Sequence, residues 1–153
     1  MDESRIMRVL GIDFGERRIG LALSDPTGTL ASPLPTLKRR LGKRPPLAAL
    51  TELANEHHVE AVVMGLPLTP AGEESDWTIT VREVGESLSR RAGIPVHFVD
   101  ERFTSAAAER MVRTSGLPRR KRESKERVDA EAAVLILQSW LDGRNRHGPE
   151  DAA

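Results

Sequence analysis

The chain has 153 residues, enough for one domain with its own core, and its 39% hydrophobic and 30% charged residues are those of an ordinary soluble globular protein. It contains no cysteine, which excludes disulfides, thiolate metal sites and a cysteine nucleophile. Three Phe, two Trp and no Tyr are too few to read single-stranded bases by stacking, and a net charge of zero gives no overall attraction to a polyanion.

The charge is nonetheless clustered. Lys38, Arg39, Arg40, Lys43 and Arg44 form one basic run with no acid in it, and Arg119, Arg120, Lys121, Arg122, Lys125 and Arg127 form a second, diluted by Glu123 and Glu126. Either run alone reads as a solvated loop, but two of them in a neutral chain suggest contact with phosphate. Met1-Asp2-Glu3-Ser4-Arg5 lacks the pattern of a signal peptide, and no apolar run approaches the ~20 residues needed to span a bilayer. A cytoplasmic protein with no membrane partner is expected.

Val9, Leu10 and Ile12 make a short apolar run that ends in Asp13 and Gly15, the mark of a buried strand feeding a tight turn. Ile19 to Ser24 reads as a second strand in hairpin with it, and Leu30 to Leu37 as a third, placed at an edge by Pro33 and Pro35. Pro45-Pro46 opens a helix with its stripe at Leu47, Leu50 and Ala54, ending near His57-His58, which read as structural. Val59 to Met64 is the fourth strand, closed by Gly65 and Pro67. The following loop, through Gly72, reads either as a flexible neighbour of the site or as ordinary turn chemistry.

Ser75 or Asp76 then caps a helix carrying Trp77, Val81, Val84 and Leu88 at helical spacing, and Gly93 and Pro95 end it. Val96 to Val99 is the fifth strand. Thr104 caps a helix through Val112, stopped by Gly116 and Pro118, and a last helix spans about Glu126 to Leu141. Hairpins followed by strand–helix units call for an α/β domain: a five-stranded mixed sheet of order 3-2-1-4-5, flanked by helices. Residues 1–142 would form this single domain, and 143–153 a polar, flexible tail.

In open α/β sheets, ligands gather beyond the carboxyl ends of the parallel strands. Asp13 ends the first strand there and Glu101 follows the fifth. Asp129 shares a helical face with Ala132, Ala133, Ile136 and Trp140, so it turns towards the sheet. Acids drawn inward need a basic partner or a cation. Three of them without Cys or a placed His suggest Mg²⁺ or Mn²⁺ as two ions about 4 Å apart, suited to phosphodiester hydrolysis. Taken alone, Asp13 is equally a turn residue and Asp129 equally a first-turn helix acid, while Glu101 reads more readily as a surface ion-pair partner of Arg102. Asp100 and Glu131 rank lower, because Asp100 alternates away from Glu101 and Glu131 is rotated off Asp129's face.

Gly11-Ile12-Asp13-Phe14-Gly15, Arg18-Ile19-Gly20, Gly65-Leu66-Pro67-Leu68, Val99-Asp100-Glu101-Arg102, Val128 to Ala133 and Ile136 to Leu141 stand in this order. Together they closely resemble the YqgF (RuvX) family of bacterial RNase H-like nucleases, over nearly the whole chain. The resemblance implies an RNase H-like fold, a role in maturing the 5′ end of pre-16S ribosomal RNA, and metal-binding catalytic roles for Asp13, Glu101 and Asp129. The family is also similar to Holliday-junction resolvases, which makes branched DNA the alternative substrate. Many RNase H relatives end strand four in an acid, whereas here it ends in Met64-Gly65. Gly65 would leave room for Glu101 to reach across. Arg18, Arg119, Arg120, Lys121, Arg122 and Lys125 are the candidates for holding the nucleic-acid backbone.

Two other readings compete. The Asp13-Phe14-Gly15 turn resembles the phosphate loop of actin-like ATPases and sugar kinases, but those clamp nucleotide between two domains. A non-catalytic nucleic-acid-binding or transcription accessory protein would keep the fold and tolerate loss of the acids. Junction resolution requires a two-fold dimer and RNA trimming does not, so the sequence leaves the oligomeric state open.

Overall fold

A computed structural model describes residues 7–39, 44–103 and 122–151, with side chains at 7–39, 44–102 and 130–145. Its sheet has five strands in the order β3-β2-β1-β4-β5, the order expected: β1 (Val9–Phe14), β2 (Arg18–Ser24), β3 (Ala31–Lys38), β4 (Ala61–Leu66) and β5 (Val96–Asp100). β2 runs antiparallel to β1, whereas β4 pairs parallel with both β1 and β5.

All six residues of β1 and all six of β4 are buried. Their apolar runs are continuous because helices cover both faces of the sheet. On one face Leu10, Ile12, Phe14, Val62, Met64 and Leu66 meet Leu50 and Ala54 of α1 (Leu47–Glu56) and Val81, Val84 and Leu88 of α2 (Asp76–Ala92). On the other, Val9, Ala22, Ala61 and Val63 meet Ala132, Ala133, Ile136, Leu137 and Leu141 of the last described helix, α3 (Arg122–Asp151).

β3 lies at the sheet edge, where the missing N–H groups of Pro33 and Pro35 cost no interior ladder bond. The β2–β3 connection is folded around Asp25, whose carboxylate accepts from the Thr27 hydroxyl at 2.7 Å and the backbone N–H groups of Thr29 and Leu30 at 2.8 and 3.1 Å. These bonds, the Thr27 one foremost, hold Asp25 below the usual carboxylate range.

Two boundaries differ from expectation. β4 continues through Gly65 to Leu66, where β5 lends it a ladder partner in Val99 and Asp100. The last helix begins before Glu126 and passes Gly143 to reach Asp151. A glycine in a helix interior costs about 1 kcal/mol, and contacts on either side of it offset that: Gln138 bonds the start of β3, and Asn145 Nδ2 donates to the Gly28 carbonyl at 3.3 Å. The helix expected over 104–112 lies outside the described residues. His57 and His58 follow α1 at the amino end of β4, with His58 in the left-handed region at φ 53°, as suits a structural turn.

Candidate active site

Strand alternation puts Asp13 on the same face as Val9 and Gly11, the face that carries α3. It is only 5% exposed. The Ile12–Met64 pairing sets its next position, Asp13, beside Gly65, about 5 Å across the ladder. Glu101 opens a 3₁₀ turn immediately after β5 and is likewise 5% exposed.

Gly65 joins the two. A β-carbon there would overlap the Glu101 carboxylate, lie 2.9 Å from Glu101 Cγ and 2.6 Å from Ile136 Cδ1. The side chain of Glu101 therefore lies over strand β4 at the one position without a side chain, and β4 is paired with the strand that carries Asp13. The room expected at Gly65 is there, and Glu101 fills it.

Asp129's side chain lies outside those described, as does the whole segment with Arg119, Arg120 and Lys121; Arg122 and Lys125 are placed by backbone only, in the first turns of α3. The backbone course of α3 still bears on Asp129. Gln138 and Asn145 meet the β2–β3 connection, at the amino end of β1, so the helix runs towards the carboxyl end as residue numbers fall. Ala133 O lies against Gly11, and Asp129 comes one turn earlier, about 6 Å along the axis, while Asp13 is two residues further along β1, also about 6 to 7 Å. Among the described residues no three acids or histidines gather as a metal site; Asp13 and Glu101 are the described pair.

The turn after Asp13 is pinned from the side. Arg39 Nη1 donates to the Gly15 carbonyl at 2.9 Å, and its guanidinium lies 4.6 Å from the Phe14 ring centroid. Trp77 stacks with the same ring, centroid to centroid 5.8 Å. Burial lowers the Arg39 pKa, opposed by the charge of Glu16. The sequence groups Arg39 with a phosphate-binding run, and nothing in its neighbours marks it as the one that folds inward. Arg18 starts β2 directly opposite Lys38 at the end of β3, on the same edge of the sheet as Asp13.

The acids ranked lower behave differently. Asp100 pairs with Arg102, at 2.7 Å, and that hydrogen bond holds Asp100 below the usual carboxylate range. Glu131 is exposed on the outer side of α3.

A model of the family described as "RuvX: Holliday junction resolvase" matches residues 7–143. The chain belongs to the RuvX family. A relative from Koribacter versatilis is 46% identical over 137 residues, covering 90% of this chain and 88% of that protein, and is named as a candidate pre-16S rRNA nuclease. One from Moorella thermoacetica, named in the same way, is 42% identical over 93% of this chain and 99% of its own. Among solved structures, Thermus thermophilus RuvC in complex with a Holliday junction substrate is similar in fold, with a TM-score of 0.55 at 20% identity, covering 93% of this chain and 96% of the other. The RNase H-like architecture expected from the RuvX resemblance is thus the one adopted.

Proposed function

We propose that this protein is a divalent-metal-dependent nuclease acting in the cytoplasm on the 5′ end of pre-16S ribosomal RNA. The observation that carries this reading is the pair of buried carboxylates, Asp13 and Glu101, brought to one end of one sheet face by the bare backbone of Gly65. The names of relatives 42–46% identical support RNA as the substrate.

The donor set suits Mg²⁺ or Mn²⁺: hard carboxylate oxygens, with no cysteine in the chain. Asp13, Glu101 and Asp129 would hold the metal, as two ions, and it would supply Lewis-acid chemistry to the scissile phosphodiester. The chain does the rest. Arg39, Phe14 and Trp77 fix the turn that presents Asp13. Arg18, with Arg119, Arg120, Lys121, Arg122 and Lys125, holds the RNA backbone by charge.

The deciding assay offers labelled RNA spanning the pre-16S 5′ end and a four-way DNA junction, with Mn²⁺, Mg²⁺ or EDTA, to wild type and Asp13→Asn. Metal-dependent RNA cutting that vanishes in the variant is expected. A preference for the junction would move the substrate to branched DNA, which the family model's description and the RuvC-like fold favour as the second reading. No cutting of either by folded protein would overturn the nuclease reading in favour of an accessory protein.

A further inference from the structure

The reaction proposed above uses Glu101 and leaves its neighbour Arg102 without a part. Yet the Arg102 side chain is among the most heavily bonded of those described. Its Nε donates to both Asp100 carboxylate oxygens at 3.1 Å, its Nη2 to Oδ2 at 2.7 Å and its backbone N–H to Oδ1 at 3.0 Å. The residues on either side of Glu101 thus grip each other around its backbone. Nη1 meanwhile donates to the Pro70 carbonyl at 3.2 Å, across to the loop between β4 and α2.

That loop is shaped to receive the guanidinium. Gly72 has φ +85°, and a β-carbon there would fall 3.1 to 3.3 Å from Nη1, Nη2 and Cζ. The guanidinium packs closely against a residue whose positive φ favours glycine and whose missing β-carbon lets it come near. The loop is otherwise closed on itself: Gly72 N–H donates to the Thr69 carbonyl at 2.8 Å, and Glu73 N–H to Thr69 Oγ1 at 3.0 Å. Its ends are tied down by Thr78 Oγ1 donating to the Pro67 carbonyl at 2.6 Å and by the Ser75–Thr78 capping box that starts α2.

An ion pair this exposed contributes little to global stability, so its bidentate geometry calls for another reason. We infer that Arg102 is a positioning residue: it ties the 67–75 loop to the turn that aims Glu101, so that loop and carboxylate move as one body. The inference rests on the nuclease reading for its catalytic consequence, and on the loop contacts alone for the tie itself.

The test compares wild type with Arg102→Gln, Arg102→Lys and Gly72→Ala, reading amide exchange at Gly72 and Glu73 alongside kcat and KM on RNA. All three variants should speed exchange at both amides at least about tenfold and lower kcat roughly 10- to 100-fold, with KM changed less than about twofold. Lysine should fail to rescue, because it keeps the charge and loses the planar fork. Unchanged exchange in Arg102→Gln would overturn the tie, and fast exchange with unchanged kcat would overturn its role in placing Glu101. Should Arg102→Gln fail to fold, Gly72→Ala decides by the same two readings, since it pushes the loop off an intact arginine. A wild-type protein that cuts neither RNA nor junction sinks the nuclease reading alone, and the exchange data still decide the tie.

Discussion

The Glu101 carboxylate and any side chain at residue 65 exclude each other. Ile136 closes the same space from the helix side, so a β-carbon at 65 must push a side chain aside, and Glu101 is the one it overlaps most. Gly65→Ala should therefore move Glu101 rather than be absorbed, lowering turnover roughly 10- to 100-fold at a cost of about 1 to 3 kcal/mol in stability. Metal-dependent cleavage and thermal melting of the same preparation check it. Turnover at the wild-type rate would show that cleavage does not depend on Glu101 at this position.

Gly11 makes the corresponding prediction for the helix. An added β-carbon would sit 2.7 Å from Leu137 Cβ and 3.1 Å from Ala133 O, so α3 must lift from β1. Gly11→Ala should destabilise by about 1 to 3 kcal/mol and reduce cleavage with it, since the turns of α3 before Ala133 carry Asp129. Gly143→Ala is the control. Nothing lies within 4 Å of a β-carbon there, and it is helix interior, so it should stabilise by about 0.5 to 1 kcal/mol and leave activity unchanged. Urea denaturation of both variants measures the opposite signs.

These two glycines, 65 and 11, mark where sequence reading works and where it stops. The strand order, the edge position of β3 and the helix stripes follow from periodicity and proline, because those patterns act locally. The space at Gly65 is legible only because strand four ends without the acid that relatives place there. Gly11 gives no such sign, since its meaning depends on Leu137, which lies far along the chain. Arg39 and Arg102 escape the sequence for the same reason. A cation's environment is set by the loop that folds over it, and loop packing has no period.

On the basic edge, Arg18 and Lys38 face each other across β2 and β3. Replacing both with glutamine should weaken RNA binding in EDTA and reduce the slope of log K against log salt by about one for each phosphate no longer neutralised. Fluorescence anisotropy at a series of KCl concentrations reads it. An unchanged slope would confine the phosphate-binding role to the second basic run.

The Asp100–Arg102 tie has a pH dependence of known sign. Asp100 is lowered from its ordinary value of 3.8, chiefly by the Arg102 hydrogen bond, and Arg102 is raised chiefly by the same bond. A depressed carboxylate contributes stability above its unfolded pKa and loses it only as pH falls through the folded one. Protection at Gly72 and Glu73, corrected for intrinsic exchange, should thus be flat from about pH 5 to about pH 9 and collapse only below 3.8. Loss of protection near neutrality would assign the loop's order to another group.

The packing of Leu137 on Gly11 also orders events in time. The strand that carries Asp13 leaves the ribosome well before the helix that covers it. Until that helix emerges, β1 lacks one of its two covers and Gln138 cannot reach the start of β3, 107 residues away. A nascent chain stalled short of α3 would hold Asp13 on an uncovered sheet face. The cover over Asp13 therefore closes only after α3 has been made.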